Sequence, residues 1–147
     1  MKTYTFWNNK GGTGKTSLCF QCILEYALTH KNEKILVVDL CPQANLSELL
    51  FGSMQNGGAA NLDIMYQNTP RKSIGGYFQE RMQSPFQMPA LDINTFISTP
   101  HDLVDNIPDN ISLIAGDRLV ELQSSFISSL TANKMPGINT YTSIVQW

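Results

Sequence analysis

The sequence predicts an α/β fold of three layers, with helices on both faces of a mostly parallel sheet. Three observations point to it. Lys34-Ile35-Leu36-Val37-Val38-Asp39 is a continuous aliphatic run of the kind found in a parallel strand buried on both faces. Asn110-Ile111-Ser112-Leu113-Ile114-Ala115 is a second such run. Ahead of both, a glycine-rich turn joins the short apolar run Tyr4 to Trp7 to a segment with helical periodicity.

The elements follow in order. Tyr4 to Trp7 is expected to be the first strand. Thr16 to about His30 is expected to be a helix, with Leu18, Cys22 and Ala27 inward and Ile23 and Tyr26 beside them. With Lys34–Asp39 as the next strand, these make a βαβ unit with a right-handed crossover. Residues 52–100 read as a loop-rich helical insert, because Gly57-Gly58, Pro70, Gly75-Gly76, Pro85, Pro89 and Pro100 punctuate them. Short helices are expected there at Leu62–Tyr66 and Ser73–Gln83, in the least core-like part of the chain. After the strand at Asn110–Ala115, Gly116-Asp117 gives a turn and a helix cap. A helix is expected from Arg118 to about Leu130, with Leu119, Leu122, Phe126 and Leu130 on its inner face. Met135-Pro136-Gly137 ends it, and Thr140 to Trp147 begins another.

At 147 residues the chain is expected to be one domain with a core of its own. A net charge of −2 argues against a chain that coats nucleic acid along its whole surface, though not against a local basic patch. No apolar run approaches a membrane span, and no secretory pattern opens the chain. Three cysteines, an odd number, fit a reducing cytoplasm.

The chemistry concentrates in Asn9-Lys10-Gly11-Gly12-Thr13-Gly14-Lys15-Thr16-Ser17. A glycine-rich turn between a strand and a helix aims backbone N–H groups at an anion, and the helix start adds partial positive charge. In the phosphate-loop pattern Gly-x-x-x-x-Gly-Lys-Ser/Thr, Lys15 reaches the β- and γ-phosphates and the Thr16 hydroxyl binds Mg²⁺. The first glycine is replaced by Asn9, a residue that tolerates left-handed backbone. Asp39 ends its strand at the carboxyl edge, where an open α/β sheet binds ligands. A carboxylate there holds Mg²⁺ directly or through water, or simply caps the turn.

Lys-Gly-Gly-x-Gly-Lys-Thr, at Lys10 to Thr16, resembles the deviant Walker A motif of the ParA/MinD family of P-loop ATPases. Asp39-Leu40-Cys41-Pro42-Gln43-Ala44-Asn45-Leu46-Ser47 resembles that family's segment Asp-x-Asp-Pro-Gln-x-Asn, and Leu113-Ile114-Ala115-Gly116 with Leu119 and Glu121 extends the likeness weakly. The resemblance implies a three-layer P-loop nucleotide-binding fold. It implies ATP and Mg²⁺ as cofactors, bound by Asn9 to Ser17 with Thr16 and Asp39 at the metal. Lys10 and Lys15 would be the catalytic lysines, Lys10 reaching across a homodimer that sandwiches two nucleotides. It further implies ATP hydrolysis as a switch in plasmid or chromosome partition or intracellular positioning, a partner protein that stimulates the ATPase, and non-specific DNA binding by residues mostly beyond Trp147. The family has a further strand ending in Asp and a loop that senses the γ-phosphate, and neither occurs before Trp147. The chain therefore reads as a truncated member or a divergent short relative, with unpaired strand edges and a dependence on pairing with another copy.

One departure bears on the reaction. Cys41 stands where the family carries the Asp that orients the attacking water. A thiol substitutes poorly for a carboxylate in that role, so a non-hydrolysing nucleotide-binding module is an alternative reading; on the other, Cys41 fills a small buried space and another residue positions the water. A small-molecule kinase with the same loop type is a third, against which Lys10 and Pro42-Gln43-x-Asn45 argue. Cys19 and Cys22 lie inside the helix with no second cysteine pair, so packing is favoured over a redox or zinc site. Arg71, Lys72 and Arg81 are expected on a solvated helix face, with Tyr77 and Phe78 nearby. His30 and His101 stand alone and read as structural or exposed, not catalytic.

Overall fold

Two parallel strands form the sheet: β1 (Ile35–Val38) pairs with β2 (Ile111–Ile114), Ile35 opposite Ile111 and Val38 opposite Ile114. The computed structural model describes residues 1–8, 10–83 and 91–132, with side chains as far as Ser125. Five helices accompany the strands: α1 (Lys15–Thr29), α2 (Asn45–Leu50), α3 (Gly58–Gln67), α4 (Ile74–Met82) and α5 (Leu119–Ala132). Two 3-10 turns, Ile93–Phe96 and Pro100–Asp102, lead into β2. Asn9, Pro85, Pro89, the break at Met135–Gly137 and the start at Thr140–Trp147 lie outside the described residues, as do the side chains of Phe126 and Leu130.

Alternation along the strands sorts the layers. Ile35, Val37, Ile111 and Leu113 face one way, where Ala27 of α1, Leu50 of α2 and Leu62 and Met65 of α3 cover them. Ile114 faces the other way, against Ile74 and Tyr77 of α4, Phe96 of the first 3-10 turn and Val120 of α5. The α/β class and the parallel sheet are therefore as the sequence implies. The second helical layer stops at β2, however, and Leu36 and Val38 of β1 are exposed.

The expected first strand does not form. Tyr4 is 70% and Trp7 79% exposed, and no ladder joins residues 1–8 to the sheet. A strand exists only by pairing, and the described residues offer this segment no neighbour. The βαβ unit read from Tyr4 to Asp39 is accordingly absent. The parallel pair that does form is joined through α2, α3 and α4.

Two helix faces turn differently from the periodic reading. In α1 the inward residues are Phe20, Ile23, Leu24 and Ala27, while Leu18 and Cys22 are exposed. Among the described side chains of α5 the inward ones are Val120 and Gln123, and Leu122 is 70% exposed. Apolar spacing gives a period, and the phase is chosen by which surfaces need covering. The α2 helix was not expected; it starts after Ala44, held in left-handed backbone at φ 54. The segment expected to be least core-like supplies Leu62, Met65, Ile74, Tyr77 and Phe96 to the core. Asn110 fastens the opposite end of the sheet, its amide donating to the carbonyls of Ala27, His30 and Glu33.

Candidate functional site

The glycine-rich loop, the candidate phosphate site, is built from the backbone. Gly12 and Gly14 take φ of 71 and 75, the left-handed region where an L side chain is strained by about 1–2 kcal/mol. A Cβ at either would meet nothing within 4 Å, so the glycines are required by conformation and not by crowding. Gly14 leads directly into α1, whose first turn carries no side-chain cap and no acidic residue. Its N–H groups and partial positive charge thus stand uncompensated by the protein, as an anion site requires. Lys15 Nζ donates to the Asn8 carbonyl at 3.3 Å, folding the ammonium back over the loop. The Lys10 N–H donates to Asn8 Oδ1 at 2.9 Å, and Thr13 Oγ1 donates to the Lys10 carbonyl at 3.4 Å. Lys10, Gly11, Gly12, Thr13, Gly14 and Ser17 are exposed, and Lys15 and Thr16 are half-buried.

Asp39 lies just past β1, 5% exposed. Its charge acts on Cys19 of α1, whose thiol pKa is pushed up by burial first, then by Asp39 and Cys22. The carboxylate is thus near the helix that the loop opens, and three donors already engage it. Oδ1 accepts the Cys41 N–H at 3.0 Å; Oδ2 accepts the Ser47 N–H at 3.1 Å and its hydroxyl at 2.8 Å. Of roughly four lone-pair directions on a carboxylate, one remains. Hydroxyl and carboxylate oxygens suit Mg²⁺, which keeps several waters. The Thr16 hydroxyl therefore fits as a direct ligand, and Asp39 fits through a water. Among the described residues, no three His, Cys, Asp or Glu side chains converge as a metal site.

Cys41 is half-buried, and its Sγ donates to Gln43 Oε1 at 2.8 Å. The pair Cys19 and Cys22 is unbonded, and the exposure of Cys22 removes the packing role expected of it. His30 stacks on Tyr26 with ring centroids 4.0 Å apart, and His101 Nδ1 lies 2.7 Å from the Ile107 carbonyl oxygen; both are structural, as expected.

The solvated face expected for Arg71 is not observed. Arg71 Nε and Nη2 donate to Asp117 at 2.9 and 3.1 Å, and the guanidinium lies 4.6 Å from the centre of the Tyr66 ring. Arg81 donates to the Tyr77 hydroxyl at 3.0 Å. Asp117 caps α5 through the Leu119 N–H, as its turn position suggests, and also accepts the Ser73 hydroxyl at 2.7 Å. The role of Ser47 and the wider role of Asp117 escaped the sequence reading. A serine and an aspartate among many carry no signal until the fold brings residues 44 to 69 positions apart into contact.

Tyr66 ties this cluster to the end of β2 by donating to the Gly116 carbonyl at 2.7 Å. Burial pushes its phenol pKa from 10.0 to about 12, the Asp117 charge adding to the shift and Arg71 opposing it. The folded pKa lies above the unfolded one. The stabilisation is therefore complete below pH 10 and is lost as pH rises toward 12. Tyr66→Phe is expected to cost about 1 kcal/mol at neutral pH. It is also expected to flatten the alkaline fall in stability, both read from urea midpoints.

With this geometry in place, the comparisons with known proteins are decisive. A family model described as an AAA domain matches residues 1–135. The chain belongs to this family and is ParA-like. The ParA-like chain is 39% identical over 74 residues to the virulence plasmid ParA family protein pGP5-D of Chlamydia psittaci. It is 41% identical over 76 residues to the pGP5-D protein of Chlamydia trachomatis. Each alignment takes in 50% of this chain and 28% of the relative, so the match spans little more than a quarter of those proteins. No solved structure matches the ParA-like chain. None of its described helices is long and apolar enough to cross a membrane.

Proposed function

We propose that this chain is the nucleotide-binding segment of a ParA-type ATP switch acting in the cytoplasm, in plasmid or chromosome partition or intracellular positioning. The observation that carries the reading is the loop from Lys10 to Ser17. Gly12 and Gly14 give it a left-handed path, and it ends on an uncapped, positively polarised helix start. The plasmid-borne relatives favour partition as the setting.

The loop amides and Lys15 bind the phosphates. The Thr16 hydroxyl holds Mg²⁺, which neutralises phosphate charge, and Asp39 assists through a water. Asn9 completes the turn. Lys10 is exposed, and its hydrogen bonds among the described residues go through its backbone N–H and carbonyl, so its ammonium is available to a second copy across a nucleotide sandwich. A partner protein that stimulates hydrolysis, and DNA as the matrix, complete the family pattern. Sedimentation in ATP against ADP tests the dimer. The expected result is association in ATP that Lys10→Ala abolishes while nucleotide affinity is retained; association indifferent to Lys10 would contradict it.

A second reading, a non-hydrolysing module, is favoured by one contact. The Cys41 thiol is turned onto Gln43, leaving no carboxylate at that position to orient water. Cys41→Asp in the full-length protein is then expected to raise the ATPase rate roughly 100-fold, the scale of a positioned general base. An unchanged rate would assign water positioning to another residue.

A further inference from the structure

We propose that Asp39 serves the nucleotide site as a positioning residue, and that it acts through Ser47 by fixing the Cys41–Ala44 loop. This rests on the nucleotide-binding reading above.

Ser47 is wholly buried and makes two opposed hydrogen bonds. Its hydroxyl oxygen accepts the Gly116 N–H at 2.9 Å, and its single proton goes to Asp39 Oδ2 at 2.8 Å. The hydroxyl therefore has one orientation, set from both sides. The same carboxylate oxygen takes the Ser47 N–H, and the other takes the Cys41 N–H. The end of β1, the loop after it, the first turn of α2 and the end of β2 are thus clamped at one node. The clamp is also close-packed. A Cβ on Gly116 would stand 2.6 Å from the Cys41 carbonyl oxygen and 3.0 Å from Ala44.

With three of about four acceptor directions occupied, Asp39 is built to hold the loop. Direct metal contact would require giving up a bond to a buried N–H or hydroxyl, each expensive to leave unmade. The loop it holds carries Cys41, Pro42 and Gln43 at the carboxyl edge of the strands, where an open α/β sheet binds its ligand.

Two measurements test this. The first needs no nucleotide: the rate at which N-ethylmaleimide modifies Cys41, followed by peptide mass spectrometry with Cys22 as internal reference. Asp39→Asn and Ser47→Ala are each expected to raise the Cys41 rate roughly tenfold, the loss of one hydrogen bond to a charged group. The double variant should be no faster than the quicker single one, and Cys22 unchanged. An unaltered Cys41 rate, or effects that multiply, overturns the proposal.

The second is ATP affinity with and without Mg²⁺. Both variants are expected to lose the same fold without Mg²⁺, and Asp39→Asn to lose somewhat more with it, because its water-mediated contact to the metal goes as well. A loss in Asp39→Asn confined to Mg²⁺ and missing from Ser47→Ala would identify a direct metal ligand and overturn the proposal. If the unaltered chain binds no ATP, the nucleotide reading fails, while the labelling arm still judges the clamp. Should neither variant fold, hydrogen exchange on the unaltered chain decides. The Cys41, Ser47 and Gly116 amides should open as one unit, and separate opening overturns the proposal.

Discussion

Replacing Lys15 with Ala is expected to lower ATP affinity roughly 100-fold, the upper end of what one charge-assisted hydrogen bond supplies. The ammonium now rests on the Asn8 carbonyl at 3.3 Å, a long contact that it can leave for phosphate oxygens at little cost. The fold should be indifferent, because Lys15 is half-buried on the first turn of α1 and contributes nothing to the core clusters. Calorimetric titration with Mg²⁺-ATP, beside a circular dichroism melt, checks both halves. Lost affinity with an unchanged melt is the expected pair. Equal affinity in the two proteins would mean that the loop is a glycine-rich turn with an incidental lysine.

The second large effect is on stability. Asp117→Ala is expected to destabilise the chain by about 3 kcal/mol, the low end for breaking a buried ion pair. Asp117 is 2% exposed and accepts from Arg71 twice, from the Ser73 hydroxyl and from the Leu119 N–H. Its loss unties the start of α4 and the start of α5 together. The low end applies because the Arg71 side chain is 31% exposed and can turn its guanidinium to water. Urea denaturation gives the value. A change below 1 kcal/mol would assign the cluster to surface geometry with no part in holding α4 and α5 to β2.

What the sequence revealed and what it hid divide along one line. Local chemistry was legible. The order of glycines and lysines in residues 10–15 predicts tight left-handed turns, and Gly12 and Gly14 take that backbone. The aliphatic runs announced β1 and β2, which pair in parallel. Gly116-Asp117 announced a cap, which Asp117 provides. Features set by distant contacts were hidden. In α1 the expected Ala27 and its neighbour Ile23 do pack inward, but Leu18 and Cys22 have helical spacing and no surface to cover. Tyr4 to Trp7 has strand composition and no ladder, because pairing is supplied by neighbours and not by propensity. Arg71 looked like a solvated cation until Asp117, 46 positions on, took its charge. Ser47 closes the family-like segment from Asp39, yet nothing in that pattern says that its hydroxyl joins the ends of both strands.

The nucleotide cradle itself is tested most directly by following the backbone amides of the loop during addition of Mg²⁺-ATP to the isotopically labelled chain. The amide resonances of Gly11 to Ser17 are expected to shift together and to saturate, with those of Cys41 and Ser47 moving alongside. Resonances that stay in place through the titration, or shifts confined to another surface, would contradict a nucleotide-binding loop at Lys10 to Ser17.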